Sequence, residues 1–288
     1  MPPGGFEPPS QAPQAYILSI ELRGLCSYNS IEAFSFQELS PRAMIITMNY
    51  YSTEAFVLFK ESARERDNIY HFFSRDFGRL VLQAKGARRI LAKLAGHLEP
   101  PSLDRINFVQ GHSPRLITAL EDDPYLRIKE SLPALDISFR IGKLIDALVP
   151  LYQADLNIWQ LLYNIFYLME NNLSSFPDVI DFAWFYFNAQ LLHFIGSTPF
   201  LDGCVVCGKQ TDANFFSFSQ RGLVCKFHHQ KGDLPLTSFQ KRILKSLFYS
   251  PLSKFSQKSQ IQDVMKEKKF IESFLEQFTA LIKSDIIG

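Results

Sequence analysis

Four residues in the C-terminal half have the types and the spacing of a metal site. Cys204 and Cys207 form one pair, 17 residues follow, and Cys225 and His228 form a second pair, C-x2-C…C-x2-H. Two turns that each present two ligands can close a tetrahedron, and zinc prefers thiolate and imidazole ligands. Because four protein ligands leave no position for a water molecule, the pattern predicts a structural zinc and not a catalytic one.

Alternatives to this zinc site follow from the neighbouring residues. His229 adjoins His228 and could be the fourth ligand with a spacing of three, although His228 matches the two-residue spacing. The thiols could also be free, but the chain has only four cysteines and three fall within 22 residues. That clustering favours a metal in a reducing compartment over disulfides. Cys26 lies far from the other three and is interpreted as a bystander.

A second chemical feature is a basic run from Arg75 to His97. It contains six basic residues and one acid, a local charge of +5 on a chain whose net charge is +1. Charge concentrated in this way suits a surface that binds a polyanion, although a solvated basic turn is the simpler alternative. Residues 79–84 read as a strand, and Gly86 would let the chain turn after it. The predicted DNA-binding residues are Arg75, Arg79, Lys85, Arg88, Arg89 and Lys93.

The basic run lies within a β-rich region, residues 48–126. Five short segments rich in β-branched and aromatic residues alternate there with turn residues. Five strands with aromatic residues predict an OB-fold-like barrel, a fold that stacks bases on rings and lines its groove with Lys and Arg. The alternation around Phe73 does not decide whether its ring faces the groove or the core. The five predicted strands are residues 54–60, 68–74, 79–84, 106–110 and 115–120.

Four stretches of this region also resemble a known family. They are Glu54-Ala-Phe-Val-Leu, Phe73-Ser-Arg-Asp-Phe-Gly-Arg-Leu, Ala84-Lys-Gly-Ala-Arg-Arg and Leu94-Ala-Gly-His-Leu-Glu-Pro. Their order and spacing resemble the N-terminal domain of the bacterial recombination mediator RecO, and the Ala-Lys-Gly-Ala-Arg-Arg element is the most specific. The resemblance continues into the C-terminal half and covers roughly residues 48–288.

The resemblance implies a function that is not enzymatic. A RecO-like protein would bind single-stranded and double-stranded DNA, anneal complementary strands, and work in the cytoplasm, at the nucleoid during repair. With RecR it would help RecA load onto DNA coated by single-strand-binding protein, whose acidic, hydrophobic C-terminal tail the family contacts. Family members often have a fourth Cys where this chain has His228, a change that preserves tetrahedral coordination.

The remaining sequence divides into two further regions. Residues 1–47 have no sustained hydrophobic period and begin with a Pro- and Gly-rich stretch, so we expect a disordered or spurious extension. From residue 127 the hydrophobic period becomes 3.6, which predicts a helical domain over 127–288 with a zinc-ribbon-like insertion at 204–229. The fold class is therefore α+β and multidomain. The predicted helices are 137–149, 156–169, one from Pro177 to Gly196, one capped by Thr237 and ending near Tyr249, and 268–282.

The composition and the absence of several sequence motifs argue against a membrane protein, a secreted protein and an enzyme. No apolar run reaches the length of a membrane span, and the chain begins without the features of a secretion signal. No phosphate-binding loop, dinucleotide fingerprint, nucleophile elbow or zinc-protease motif is present, which makes an enzyme the weaker hypothesis. An RNA-binding or ribosome-associated factor remains the alternative, since an OB-fold with a zinc ribbon also suits that function. A nucleic-acid-processing enzyme with an unrecognised site is the third hypothesis.

Overall fold

The computed structural model describes residues 49–64, 67–84, 98–111, 113–174, 176–210 and 213–287. Residues Thr47 to Gly288 form one compact unit. The predicted N-terminal extension and Cys26 lie outside the described residues, as do four of the six predicted DNA-binding residues: Lys85, Arg88, Arg89 and Lys93.

The N-terminal region is a five-stranded sheet, which confirms the five predicted strands. The strand order is β1-β2-β3-β5-β4, and β4 pairs back onto β1 in antiparallel register. β3 and β5 meet at a single parallel pair, Gln83 with Arg115, so the sheet curls round without a continuous ladder at that junction. The strands are β1 (Asn49–Arg64), β2 (Asp67–Ser74), β3 (Gly78–Ala84), β4 (Ser102–Gln110) and β5 (Arg115–Asp123).

Strand β2 is buried on both of its faces. Tyr70 and Phe72 point into the curled sheet, whereas Phe73 belongs to the core that the sheet shares with the helices. Successive side chains of a strand point to opposite faces, so burial on both sides removes the polar alternation that marks a one-sided strand. Phe73 is therefore a core residue, which decides the alternative that the sequence pattern left open.

The C-terminal region is helical and is interrupted once by a small sheet. Each predicted helix is present, whereas the short helices α1 and α6 were not predicted. The small sheet has the order β7-β6-β8 and lies between α4 and α5 along the chain. The elements are α1 (Leu126–Glu130), α2 (Leu132–Leu148), α3 (Leu156–Asn172), α4 (Val179–Phe194), β6 (Ala213–Ser217), β7 (Gly222–Cys225), β8 (Leu234–Pro235), α5 (Ser238–Tyr249), a 3-10 turn (Leu252–Phe255), α6 (Lys258–Met265) and α7 (Lys268–Ile287).

Apolar side chains and capping residues that are visible in the sequence explain helices α4 and α5. α4 is apolar nearly all round, and most of its residues are buried among the other helices. α5 begins with the predicted capping box: Gln240 N donates to Thr237 Oγ1 at 3.1 Å, and Thr237 N donates to Gln240 Oε1 at 3.0 Å. Within the described part of the chain, no helix is both long and apolar enough to cross a membrane.

The sheet packs against α2 through a polar contact as well as through the shared core. Asp146 of α2 accepts a hydrogen bond from the Arg79 guanidinium of β3. The same carboxylate oxygen lies 2.9 Å from Nδ1 of His71 on β2. His71 in turn stacks on Phe59, with ring centroids 4.0 Å apart. One carboxylate thus connects two neighbouring strands to the first long helix.

Asp104 on β4 is a fully buried carboxylate, and the nearby Ser102 hydroxyl only partly offsets the cost of burying its charge. Burial raises its pKa from the ordinary 3.8 to about 7. The folded state therefore keeps a proton that the unfolded chain releases above pH 4. For that reason the free energy of unfolding falls as the pH rises from about 4 to 7 and stays lower above pH 7.

We predict that Asp104→Asn removes this part of the pH dependence, because the amide keeps the shape and carries no charge. The free energy of unfolding of the variant minus that of the unchanged protein should be roughly 2 kcal/mol larger at pH 8.5 than at pH 5.5. Urea unfolding at the two pH values measures this gain. Asp136→Asn is the matched control, since Asp136 is an exposed carboxylate on α2 that does not contribute to the raised pKa of Asp104. An identical pH dependence for Asp104→Asn and the unchanged protein would contradict the prediction.

Candidate metal centre and nucleic-acid interface

The two ligand pairs are brought together by backbone pairing between residues 200–205 and β7. Phe200 N donates to Arg221 O at 2.9 Å, and Leu223 N returns a hydrogen bond to Phe200 O at 2.9 Å. Val205 N then donates to Leu223 O at 2.8 Å. This pairing lays the Cys204 turn beside the strand that ends at Cys225.

Gly222 is required for this close approach. A Cβ atom at that position would lie 2.4 Å from a methyl carbon of Val205 and 2.9 Å from Phe200 O. Real Cβ atoms do not come this near to other heavy atoms, so a larger residue would push the two ligand pairs apart. Gly222, three residues before Cys225, therefore acts through close packing.

Each ligand pair sits on a tight turn. In the first, Gly208 N donates to Cys204 O at 2.8 Å and Cys204 N donates to Lys209 O at 2.9 Å, with Gly208 in the left-handed region at φ 70°. In the second, His228 N donates to Cys225 O at 3.0 Å. Each turn directs the two ligand side chains of its pair toward a common metal position.

The four ligand atoms have the separations of a tetrahedral zinc site. They all lie within 4.8 Å of one another. Nδ1 of His228 is 3.6 Å from Cys204 Sγ and 3.3 Å from Cys225 Sγ, and the Sγ atoms of Cys207 and Cys225 are 4.0 Å apart. Zinc bond lengths of about 2.3 Å to sulfur and 2.05 Å to nitrogen predict tetrahedral edges of about 3.8 Å and 3.6 Å. The residues present therefore fit the metal.

The charges of the cysteines also suit a cation. Burial disfavours the Cys204 thiolate, but backbone N–H groups of Cys207, Cys225 and Val206 and the His228 side chain outweigh it and lower the pKa of Cys204 to about 6. The pKa of Cys207 is raised although the Lys209 backbone favours its thiolate, because burial and the sulfurs of Cys204 and Cys225 oppose a second charge. A bound cation would remove that repulsion, since metal binding favours deprotonated ligands.

The structure decides between the two adjacent histidines. His228 points its Nδ1 at the cysteine sulfurs, whereas the His229 ring packs edge-on against Phe215 with centroids 4.3 Å apart. His193, another histidine of the C-terminal half, has Nδ1 2.8 Å from Thr198 Oγ1, as expected for a hydrogen-bonded structural residue. The group that could hold a metal is thus Cys204, Cys207, Cys225 and His228.

This metal centre is connected to the helical core. Cys204 and Cys225 are buried and belong to the main hydrophobic cluster. Phe216 of β6, beside β7, packs on α7, with its ring centroid 4.8 Å from Phe274 and 6.0 Å from Phe278. A change at the ligands therefore propagates directly into helix packing.

Of the predicted DNA-binding residues, the structure describes Arg75 and Arg79, and it puts them in different environments. The Arg79 side chain is only 16% exposed and is bound to Asp146. This position gives Arg79 a structural partner and argues against a phosphate contact. The Arg75 side chain is exposed, and its guanidinium makes a long 3.5 Å contact with the Glu54 carboxylate. Sequence spacing could not reveal the partner of Arg79, because Asp146 lies 67 residues away.

Comparison with known proteins adds the family. Residues 48–120 match the family model described as Recombination protein O N terminal, and residues 131–279 match Recombination protein O C terminal. A protein from Caldanaerobacter subterraneus named DNA repair protein RecO is 26% identical over 227 residues, 77% of this chain and 89% of the relative. Proteins of the same name from Desulforamulus reducens and Thermodesulfovibrio yellowstonii are each 27% identical, over 80% and 81% of this chain and 91% and 94% of their own lengths.

Proposed function

The chain belongs to the RecO family of DNA repair proteins, and from this membership we propose that it is a non-catalytic recombination mediator. It binds single-stranded and double-stranded DNA and anneals complementary single strands. The observation that carries this proposal is the match of both family models, in chain order, over most of residues 48–279. The DNA repair function of its relatives and the five-stranded sheet support the same conclusion.

We place DNA binding on the N-terminal sheet, treated as a partly open OB-fold-like barrel. Five strands in the order β1-β2-β3-β5-β4 support this fold. The basic residues Lys85, Arg88, Arg89 and Lys93 follow β3 directly, and exposed Arg75 lies in the turn before that strand. Charge concentrated beside such a sheet suits sequence-independent contact with phosphates.

We also propose that Cys204, Cys207, Cys225 and His228 hold one structural zinc ion. The ligand separations support this site, and four protein ligands complete a tetrahedron, as structural zinc sites do. The ion would hold the two turns together, and it would take no direct part in binding DNA.

Family membership supports the following proposed partners. In this proposal the protein works in the cytoplasm, at the nucleoid during repair, with RecR and with the C-terminal tail of single-strand-binding protein. Through these contacts it helps RecA to load onto DNA that single-strand-binding protein has coated.

The experiment that tests the nucleic-acid specificity is a competition. A fluorescent single-stranded DNA oligonucleotide is bound to the full chain and displaced by unlabelled DNA or by a structured RNA hairpin. The proposal predicts that DNA competes at lower concentration than the hairpin. If the hairpin competes better, the alternative of an RNA-binding or ribosome-associated factor replaces the mediator. Strand cleavage on addition of Mg²⁺ would instead favour an enzyme.

A further inference from the structure

The metal centre presents two exposed apolar side chains at its turns. Val206 and Phe227 each occupy the position immediately before the second ligand of a pair, in Cys204-x-Val206-Cys207 and Cys225-x-Phe227-His228. The Phe227 side chain is 76% exposed and Val206 is 53% exposed. The two turns adjoin, because their four ligand atoms lie within 4.8 Å of one another.

Three basic residues lie within a few positions of the two ligand pairs in sequence. Lys209, Lys226 and Lys231 are all exposed, and the Lys226 ammonium lies 5.0 Å from the centroid of the Phe227 ring. None of the three lysines forms an ion pair with any residue that the structure describes.

Two acids close to the turns in sequence have partners of their own. Asp202 pairs with Lys245 at 2.9 Å, and Asp233 accepts a hydrogen bond from Gln230 N at 2.7 Å. The turns therefore combine an exposed aromatic ring with lysines that form no ion pair among the described residues.

We propose that these two turns form a second binding site for single-stranded nucleic acid, in which a base stacks on Phe227 and the three lysines contact phosphates. Aromatic rings stack on bases whatever the sequence, and a cationic rim attracts the backbone. The ring projects from a turn and is 76% exposed, which suits stacking of a flat base. The metal ligands Cys225 and His228 flank Phe227 and hold its backbone in place, so little backbone freedom is lost on binding.

This inference rests on the proposed function and extends it. Annealing requires that one strand is held while another is brought to it. A site on the C-terminal region, separate in sequence from the basic segment of the N-terminal region, gives one chain two contacts for single strands.

The first test uses zinc-loaded full-length protein and a dT30 oligonucleotide. Phe227→Ala should weaken binding by roughly 5-fold to 100-fold, the effect of losing one stacked base, and should keep the salt dependence. Because most of the ring is exposed, zinc content and melting temperature should not change. Tyr167→Ala is the matched control, since Tyr167 is an exposed aromatic residue on α3.

A second variant reports stacking directly. It keeps an aromatic ring at position 227, so it also tests the site if Phe227→Ala misfolds. Phe227→Trp introduces an exposed indole, while the natural Trp159 and Trp184 are buried. Its added fluorescence should be quenched by dT30, and its affinity should equal that of the unchanged protein. Replacing the three lysines by Ala should instead reduce the slope of log K against log salt by about 2, since each contact to a single strand contributes about 0.7.

The outcomes separate this site from the proposed function. If the unchanged protein fails to bind dT30, the mediator proposal itself is wrong. If it binds, and Phe227→Ala binds equally well with its zinc retained, only the second site is wrong. If Phe227→Ala still binds dT30 but no longer binds an acidic, Phe-containing peptide that the unchanged protein binds, the surface is a protein-docking site. That result would also overturn the inference.

Discussion

Replacing Cys207 by Ser is expected to remove the metal and to destabilise the C-terminal half. Structural zinc contributes folding free energy directly, on the order of 10 kcal/mol in small zinc-binding peptides. Losing one of four ligands should cost this protein at least about 3 kcal/mol and lower its melting temperature by roughly 6 to 12 °C. Cys207 is exposed, so exchanging its sulfur for oxygen disturbs little packing by itself.

The measurement combines elemental analysis with thermal unfolding. The unchanged protein should carry one zinc per chain, and a chelator should lower its melting temperature toward that of Cys207→Ser. His229→Ala is the matched control, because His229 packs on Phe215 and does not face the sulfurs. It should retain its zinc. Freshly purified protein without metal, or Cys207→Ser with full zinc content, would show that the cluster is not a metal centre.

Replacing Lys85, Arg88 and Arg89 by Ala is expected to cause the largest loss of DNA binding. Each phosphate that a base neutralises releases counterions, so log K falls with log salt by about 0.9 per contact on duplex DNA. Removing three contacts should flatten that slope by roughly 2 to 3. The loss should be alike for different sequences, because phosphate contacts carry no base information.

Titration of binding at several salt concentrations tests this prediction. The control removes equal charge elsewhere, from three exposed lysines of the helical region: Lys254, Lys266 and Lys269. It should leave the slope nearly unchanged. If the control and the triple variant behave alike, general charge and not the basic segment attracts the DNA. An unchanged slope in the folded triple variant would move DNA binding away from this segment.

The sequence predicted the elements whose signals are local. A capping box such as Thr237 with Gln240 lies within one turn, and the metal ligands form two pairs, each with two residues between its members. The short helices α1 and α6 escaped prediction, since five and eight residues are too few to establish a 3.6 period.

Other features depend on contacts between distant residues and could not be read from spacing. Phe73 is core because helices cover the outer face of β2, and Arg79 is held by Asp146 because α2 packs there. The choice of His228 over His229 needed the direction of each ring. Asp104 lies just outside the predicted strand 106–110, and only the fold reveals that its carboxylate is buried on β4.

The most direct measurement of mediator function is annealing of complementary DNA strands. Two labelled oligonucleotides are mixed with zinc-loaded protein, with and without prior coating by single-strand-binding protein, and duplex formation is followed by fluorescence. A RecO-family mediator should accelerate annealing in both cases, and replacing Lys85, Arg88 and Arg89 by Ala should slow it. Annealing at the rate of the protein-free reaction, by folded protein that holds its zinc, would contradict the proposed function.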